Sequence, residues 1–283
     1  MSPSLSLIFP AFNESARLGK TLRTTFDYLN AQDYAAEVIV VDDGSADDTP
    51  RVAERAFADA GRTEARLVRY ERNRGKGYAV RLGLLEARAP VALFSDSDLS
   101  TPIEETPKLF GPIRSGEYDI VFGSRALDRT LIGVHQPWLR EQSGKVFNLA
   151  VRLATRLPFS DTQCGFKAFR MDVCRPVVEG ALIDRFGFDV ELLYVAHAAG
   201  LRLLEQPVRW DDAEGSKVSF RSGLQGFFEL RELRRQAKRG VYDKAIARAR
   251  ELSRRPDTRA PILAAAEPAP ESDASPELAA RRI

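Results

Sequence analysis

The first 125 residues alternate between short apolar segments and longer segments in which apolar residues recur every three or four positions. In Ser15–Asn30, for example, the residues at 18, 22, 26 and 29 are apolar and have the spacing of one helix face. Strands that alternate with helices predict an α/β fold, with a mostly parallel sheet and helices on both faces. The predicted strands are Leu5–Phe9, Glu37–Val41, Ala65–Tyr70, Val91–Ser95 and Asp119–Phe122, and the helices between them are Ser15–Asn30, Thr49–Ala60, Gly77–Ala87 and Ile103–Arg114.

The alternation becomes irregular after residue 125. The segment Ala126–Leu139 is predicted to be a loop, and later segments form helices and strands, the last strand lying at a sheet edge. These elements are helix Arg140–Arg156, strand Phe166–Arg170, helix Val190–Ala199 and strand Arg202–Val208. We place one domain at residues 1–215, basic amphipathic helices at 216–255 and a disordered tail at 256–283. The tail has five prolines in 28 residues and too little apolar surface to form a core.

The charge balance is nearly even, with 42 basic and 40 acidic residues, so nucleic acid is not an expected partner. No apolar run approaches the roughly 18 residues that span a bilayer, and any membrane contact is expected to be peripheral. Cys164 and Cys174 lack metal-site spacing, and Met1–Ser4 shows no secretory signal. These features predict a cytoplasmic protein with reduced thiols, peripheral at the inner face of the membrane.

The segment Lys217–Arg255 is strongly basic, with twelve Lys and Arg residues against four acids. Leu224, Phe227, Phe228 and Leu230 add an apolar arc to its first predicted helix. This composition is typical of a segment that lies on anionic lipid. The alternative is a helical hairpin that packs on the core and exposes a solvated basic face.

Polar residues follow each of the first five predicted strands, in the segments Pro10–Glu14, Asp42–Ser45, Asn73–Gly77, Asp96–Asp98 and Gly123–Arg125. Taken singly, each could be a helix cap or a tight turn. In open α/β sheets, however, ligands bind beyond the carboxyl ends of the strands. The five segments together therefore predict a binding site at one edge of the sheet.

The segment Asp96-Ser97-Asp98 places two carboxylates where a buried strand ends. Both side chains can converge there on a hard divalent cation and its phosphate ligands. An Asx-turn is the alternative for a lone motif of this kind. We predict that Asp96 and Asp98 bind Mg²⁺ or Mn²⁺.

Four segments resemble a known family: Val40–Thr49, Asn73–Gly77, Asp96–Pro102 and Asp161–Lys167. They look like the inverting family 2 glycosyltransferases of GT-A fold. Within that family the nearest resemblance is to the polyprenyl-phosphate sugar synthases, particularly the dolichyl-phosphate β-glucosyltransferase branch, alongside the mannosyl-phosphate synthases. The resemblance covers roughly Ser4 to Phe220.

This resemblance implies a nucleotide-sugar donor and a polyprenyl-phosphate acceptor. Asp42 or Asp43 would read the uracil edge, and Lys76 would approach the nucleotide. The nucleoside pocket would be lined by Pro10, Phe12 and Glu14, while Asp96 and Asp98 would hold the cation on the diphosphate. Mannosyl-phosphate synthases often carry Gln where this sequence has Ser100, so the sequence favours UDP-glucose over GDP-mannose.

The acceptor of that branch is an anion already, and it needs cations rather than a strong base. Arg125 and Arg140 flank the predicted loop and suit bidentate phosphate recognition. Asp161 would orient the acceptor or act as base, and Gly165 would allow close backbone approach. Asp189 and Glu191 form either a second acidic part of the site or a charge pair at a helix start.

The sequence leaves alternatives open. A transferase could use another donor, such as GDP-mannose or UDP-GlcNAc, or a soluble acceptor. A non-catalytic nucleotide-binding protein could use the same sheet. The segment Gln206–Trp210 also matches the Gln-x-x-Arg-Trp motif of processive synthases, but the predicted edge strand there argues against the interfacial helix of those enzymes.

Overall fold

The computed structural model describes residues 2–61, 63–134, 138–212, 220–255, 258 and 261–262, with backbone only at 138–140 and 220–224. Its centre is a seven-stranded sheet in the order β3-β2-β1-β4-β7-β5-β8. The strands of this sheet are β1 (Leu5–Ala11), β2 (Ala36–Asp42), β3 (Glu64–Arg69), β4 (Val91–Ser95), β5 (Ile120–Ser124), β7 (Phe166–Arg170) and β8 (Leu203–Pro207), and β6 (Ile132–Val134) pairs separately with β9 (Trp210–Asp211).

Every strand pairing within the large sheet is parallel except the two made by β7. The helices are α1 (Leu18–Asn30), α2 (Thr49–Phe57), α3 (Lys76–Glu86), α4 (Thr106–Arg114), α5 (Trp138–Thr155), α6 (Met171–Gly180), α7 (Phe188–Ala199), α8 (Phe220–Lys238) and α9 (Asp243–Ser253). The predicted α/β class and mostly parallel sheet are confirmed.

Successive side chains of each central strand enter two different cores, because they point to opposite faces of the sheet. In β1, Leu7 and Phe9 pack with residues of α1 and α4, whereas Ile8 packs with residues of α3, α6 and α7. Strands buried on both faces are mostly apolar without alternation, as β1, β2 and β4 are. The double-sided core fixes the sheet and therefore the edge from which the polar loops project.

The antiparallel strand β7 lies between β4 and β5, with Phe166 opposite Ser95 and Lys167 opposite Phe122. Because β7 runs against its neighbours, its first residues lie where β4 and β5 end. The loop that precedes β7 is thereby brought to the same edge as the loops that follow the parallel strands.

The segment from 126 to 139 departs from the prediction of a loop. It contains a short helical turn at Arg129–Leu131 and strand β6, and α5 already begins at Trp138. Strand β6 forms because it pairs with β9, a long-range contact that a three-residue pattern does not reveal. Helix α6, which contains Pro176, was also not predicted from the sequence.

The two C-terminal helices pack against the domain. Helix α8 contacts α5, where the rings of Phe147 and Phe227 meet edge to face with centroids 5.1 Å apart. Helix α9 packs on α6 and α7, and the buried Tyr242 just before it donates a hydrogen bond to Glu191 at 2.7 Å. The alternative of a hairpin packed on the core therefore describes α9, while the predicted boundary at residue 215 lies outside the described residues.

None of the helices described here combines the length and the apolar character that a bilayer span requires. Of the tail predicted to be disordered, only residues 258, 261 and 262 are among those described. The amide of Ile262 donates to the carbonyl of Arg114 at 2.8 Å.

Candidate active site

The loops after β2 and β3 are joined through Asp43. Its carboxylate accepts hydrogen bonds from the backbone amides of Arg74 and Gly75 at 2.6 and 2.9 Å, and from the side chains of Tyr70 and Asn73 at 2.9 and 2.8 Å. Four donors on one carboxylate fix the loop that leads into α3. Asp43 thus shapes the predicted nucleotide site by holding this loop.

Asp42 is completely buried at the end of β2. One carboxylate oxygen accepts from the amide of Ser45 at 3.1 Å, and the other lies 3.1 Å from Nε of Arg69. Gly44 between them has φ +70°, and a Cβ there would lie 2.7 Å from the amide nitrogen of Asn73. The Asp-Asp-Gly-Ser segment is therefore a compact turn in contact with the loop after β3.

The residues predicted for the nucleoside pocket follow β1. Pro10 is buried within the strand, Phe12 is partly exposed, and Glu14 is buried and paired with Arg17. The amides of Asn13 and Glu14 donate to Ser45 Oγ and Thr49 Oγ1 at 2.8 and 2.7 Å. These contacts place the loop after β1 against the loop after β2.

Lys76 and Asp96 meet at the centre of this edge, with Nζ 2.5 Å from Oδ1. Lys76 begins α3, and Asp96 follows β4. Gly165 lies against the same carboxylate, because a Cβ at this glycine would stand 2.1 Å from Asp96 Oδ2. The backbone at Gly165 therefore lies close to Asp96, the candidate cation ligand, and its predicted role beside Asp161 stays a prediction.

Asp98 lies two residues further and accepts from the amide of Ser100 at 3.0 Å. Burial and the adjacent Asp96 carboxylate raise the pKa of Asp98. Burial is the larger cause, and the charge of Asp96 adds to it, so the ionised form of Asp98 is disfavoured until a further positive charge arrives. Such a pair is suited to a divalent cation.

The donor set fits Mg²⁺ or Mn²⁺ bound together with a diphosphate. Among the residues described, no group of three or more His, Cys, Asp and Glu side chains forms a metal cluster. The protein therefore offers two carboxylates rather than a complete cage, and Mg²⁺ sites in which substrate phosphates and water complete the shell have this form. The Lys76 ammonium beside Asp96 already stands where positive charge is favoured.

Arg125 and Asp161 form the second cluster of the edge. Arg125 follows β5 and donates through Nε and Nη2 to the two carboxylate oxygens of Asp161 at 2.6 and 2.9 Å. The amides of Arg125 and Gln163 add two further hydrogen bonds to the same carboxylate. Burial alone would raise the pKa of Asp161, but the charge and hydrogen bonds of Arg125 outweigh it and lower that pKa to about 2.

Glu205 of β8 supports this cluster and was not predicted from the sequence. Its carboxylate accepts from the amides of Ser160 and Asp161 at 2.9 and 2.7 Å and from Ser124 Oγ at 2.7 Å. It therefore ties the loop before β7 to the end of β5. Three segments that lie far apart in the sequence meet at Glu205, so no local motif signals its role.

A cleft of about 120 Å³ opens beside Arg125 and Asp161. Helix α5 forms one wall. The guanidinium carbon of Arg125 lies over the indole ring of Trp210 in β9, 5.6 Å from the centre of that ring. The cleft is lined by Arg125, Ala126, Arg129, Ile132, Glu141, Gly144, Lys145, Asn148, Asp161 and Trp210. The predicted Arg140 is on α5, but its side chain lies outside the described residues.

Asp189 and Glu191 have different surroundings although both begin α7. Asp189 pairs with the fully buried Lys167 of β7 at 2.7 Å, and its charge also acts on Lys76. Glu191 instead accepts from the amides of Leu182 and Ile183, each at 2.9 Å. Asp189 therefore belongs to the site edge, whereas Glu191 secures a neighbouring loop.

Comparison with known proteins shows the family to which this chain belongs. The model for "Glycosyl transferase family 2" matches residues 6–177. The chain belongs to this family. It is a glycosyltransferase that uses a nucleotide sugar, and it has the GT-A fold that the sequence predicted.

Two of its relatives are dolichyl-phosphate beta-glucosyltransferases. The protein of Drosophila melanogaster is 37% identical over 238 residues, which are 79% of this chain and 73% of that protein. The protein of Homo sapiens is 34% identical over 233 residues, which are 78% of this chain and 72% of that protein. The predicted resemblance to this branch is thereby confirmed.

Solved structures of glucosyl-3-phosphoglycerate synthase from Mycobacterium tuberculosis share the fold. One, in complex with Mn²⁺, UDP and glucosyl-3-phosphoglycerate, has a TM-score of 0.54 and 20% identity, covering 86% of this chain and 80% of that chain. Another, in complex with Mg²⁺ and UDP, has a TM-score of 0.55 and 20% identity, covering 86% and 79%. At this identity the likeness establishes the GT-A fold alone.

Proposed function

We propose that this enzyme transfers glucose from UDP-glucose to a polyprenyl or dolichyl monophosphate, with inversion at the anomeric carbon and with Mg²⁺ or Mn²⁺ bound. The observation that carries the proposal is the pairing of two clusters at one sheet edge. Asp96, Asp98 and Lys76 form the donor cluster, and Arg125 with Asp161 forms the acceptor cluster. The names of the relatives support the glucosyl donor and the lipid acceptor.

The donor cluster would bind the diphosphate of the nucleotide sugar. Asp96 and Asp98 would hold the cation, which supplies Lewis-acid stabilisation of the leaving diphosphate. Lys76 would contact the diphosphate as a second positive charge. The loops held by Asp43 and by Ser45 would enclose the nucleoside, with Pro10, Phe12 and Glu14 along the pocket. Asp42 and Asp43 are buried and their carboxylates are already engaged, so they would shape the uracil end of this pocket rather than read the uracil edge directly.

The acceptor cluster would bind an anionic acceptor and would not supply a strong base. Asp161 has a pKa of about 2 and accepts four hydrogen bonds, so it is poorly suited to take up a proton near neutral pH. Its carboxylate instead orients Arg125. The edge of the guanidinium that faces away from Asp161 would bind the acceptor phosphate, whose own oxygen anion attacks the sugar, and Arg140 would be a second phosphate ligand.

Helix α5 connects this cleft with an exposed apolar surface. Lys145 and Asn148 line the cleft, while the exposed side chains of Val146, Leu149 and Leu153 recur at helical spacing on the same helix. A lipid phosphate needs both an anion site and a nearby apolar surface. This arrangement supports a membrane-bound acceptor and a peripheral position of the enzyme at the cytoplasmic face.

Transfer can be tested with purified enzyme, Mn²⁺ and a panel of labelled donors. We expect UDP-glucose with dolichyl phosphate to give an organic-soluble β-glucosyl phosphate, and GDP-mannose and UDP-GlcNAc to react at least ten times more slowly. Asp98→Ala or excess chelator should abolish transfer with little loss of stability, because Asp98 lies on a loop. Arg125→Ala should impair transfer yet retain donor binding.

Three results would contradict the proposal. Faster reaction with GDP-mannose would exclude the glucosyl assignment, and transfer to phosphoglyceric acid but not to dolichyl phosphate would exclude the lipid acceptor. Full turnover in excess chelator would exclude the cation.

A further inference from the structure

Lys76 lies between carboxylates from two different parts of the chain. Its Nζ is 2.5 Å from Asp96 Oδ1, and Asp189 is close enough for its charge to act on the same ammonium. Asp96 follows β4, whereas Asp189 lies in the first turn of α7. One lysine therefore has one anion in contact and a second anion within reach.

Asp189 is held in place by a buried lysine. Lys167 of β7 is fully buried, lies 2.7 Å from Asp189 Oδ1 and also donates to the carbonyl of Cys164 at 2.5 Å. A buried charge pair of this kind is fixed because separation of the partners would leave an uncompensated charge. Asp189 is thus a stationary anion, and Lys76 has four flexible methylene groups with which to move.

The ammonium of Lys76 competes with a cation for the Asp96 carboxylate. It lies 2.5 Å from Oδ1, which is within the range of about 2.0–2.6 Å over which a metal ion would bind the same oxygen. Two cations at one carboxylate oxygen repel each other. A cation on that oxygen therefore favours the departure of Lys76 from Asp96.

We propose that Lys76 is an internal substitute for the divalent cation. It holds Asp96 when no cation is bound and yields that carboxylate when the cation binds. The ammonium then passes to the donor diphosphate, while the charge of Asp189 keeps it at the site. This inference rests on the proposed function for the donor and the cation. Lys76 then couples the binding of the cation to the binding of the donor, because the donor diphosphate attracts the ammonium that the cation has to displace from Asp96. Asp189 is then a positioning residue.

Cation and nucleotide binding can be measured separately, without transfer. Lys76→Met removes the competing ammonium, so Mn²⁺ alone should bind about tenfold more tightly, as measured from the electron paramagnetic resonance signal of free Mn²⁺. The same variant loses a partner of the diphosphate, so UDP titrated calorimetrically with Mn²⁺ present should bind about tenfold more weakly. Opposite changes in the two affinities distinguish this role from a purely structural one.

Lys108→Met is a matched control, because Lys108 pairs with Glu105 at 2.6 Å in an ion pair that includes neither Asp96 nor Asp189. It should change neither affinity. Lys76→Arg retains a cation and should keep Mn²⁺ alone weak, which also provides a test should Lys76→Met not fold. Thermal denaturation identifies that case.

The inference fails if Lys76→Met leaves Mn²⁺ binding unchanged or weakens it, or if Lys76→Arg binds Mn²⁺ alone more tightly than the native enzyme. Unchanged UDP affinity in Lys76→Met would exclude the transfer of the ammonium to the diphosphate. Failure of the proposed function has a different signature: a native enzyme that binds Mn²⁺ and UDP with this coupling but does not glucosylate dolichyl phosphate.

Discussion

Asp96 is contacted from two other parts of the sequence. Lys76 reaches it from the start of α3, Gly165 lies against it from the loop before β7, and the Asp96 amide donates to the carbonyl of Gly165 at 3.0 Å. The position of a single carboxylate thus depends on two loops that lie about 90 residues apart in the sequence. A change in either loop should be detected first as a change in cation binding.

Gly165→Ala is expected to weaken cation-dependent UDP binding at least tenfold. The new Cβ would overlap the Asp96 carboxylate, which stands 2.1 Å from the ideal Cβ position. Because the displaced group is the end of a flexible side chain, stability should fall by no more than about 2 kcal/mol. Calorimetric titration with UDP and Mn²⁺ measures the first effect, and thermal denaturation measures the second.

Gly111→Ala provides the comparison, since a Cβ at Gly111 would meet no atom within 4 Å. It lies in α4 and should leave UDP affinity unchanged. Native-like UDP affinity in Gly165→Ala would show that Asp96 does not need its present position to bind the cation.

At the level of the residues, the sequence predicted where the site lies better than which groups pair within it. The strand-end positions of Asp42, Asp96 and Arg125 follow from the parallel sheet, because the edge is set by topology. The pairing of Arg125 with Asp161, and the support from Glu205, depend on which loops face each other across the edge. Those relations are long-range and leave no local pattern in the sequence.

Strand β8 stabilises the acceptor cluster from the edge of the sheet. Glu205 on this strand holds Ser160 and Asp161 through their backbone amides, and Asp161 in turn holds Arg125. An edge strand that only closed the sheet would not need a carboxylate at this position. The strand therefore contributes to the geometry of the site as well as to the core.

Glu205→Gln should raise the KM for the lipid acceptor at least fivefold while the KM for UDP-glucose changes less than twofold. An amide presents one acceptor oxygen in place of two, and the lost hydrogen bonds should lower the free energy of unfolding by about 1–3 kcal/mol. Steady-state kinetics with each substrate varied in turn measures the split. Glu64→Gln on β3 at the opposite edge is the control, and equal effects on both KM values would contradict a local role for Glu205.

Three elements were not predicted from the sequence: the short strands β6 and β9, and helix α6, which contains a proline. Strands β6 and β9 contain three and two residues, which is too few for a periodic pattern. Helix α6 contains Pro176, which weakens its helical pattern. The long strands and helices of the first 125 residues were predicted correctly in type, because burial on both faces leaves a continuous apolar signal.

Considered as a whole, the molecule exposes apolar side chains on two neighbouring helices, which we call the apolar patch: Val146, Leu149 and Leu153 on α5 and Phe227 and Phe228 on α8. Leu153 is 74% exposed and Phe228 is 65% exposed, on helices that pack against each other. Basic residues of α8 extend beyond this patch. Apolar and basic groups together are the combination that binds anionic lipid surfaces.

The triple substitution Leu149→Gln, Leu153→Gln and Phe228→Gln should reduce binding to anionic vesicles at least tenfold. The three side chains are already exposed, so their replacement should alter stability and UDP affinity little. Co-sedimentation with vesicles containing phosphatidylserine measures binding, and the electrostatic part should weaken as salt is raised, because exposed charges are screened beyond about 8 Å at physiological ionic strength.

Val241→Gln replaces an exposed apolar residue outside the patch and should leave vesicle binding unchanged. Undiminished sedimentation of the triple variant, or no sedimentation of the native protein, would favour a soluble acceptor.

The place of β7 in the sheet has a consequence for the order in which the chain assembles during translation. Strands β1 to β4 can pair as soon as they leave the ribosome, but β5 has no partner among them, because only β7 and β8 border it. The segment that follows β4 must therefore wait for residues 166–170 before it joins the sheet. Until then the nascent protein has a half-sheet with β4 as an open edge, and the loops that follow β1 to β4 exist before Arg125 and Asp161 can meet.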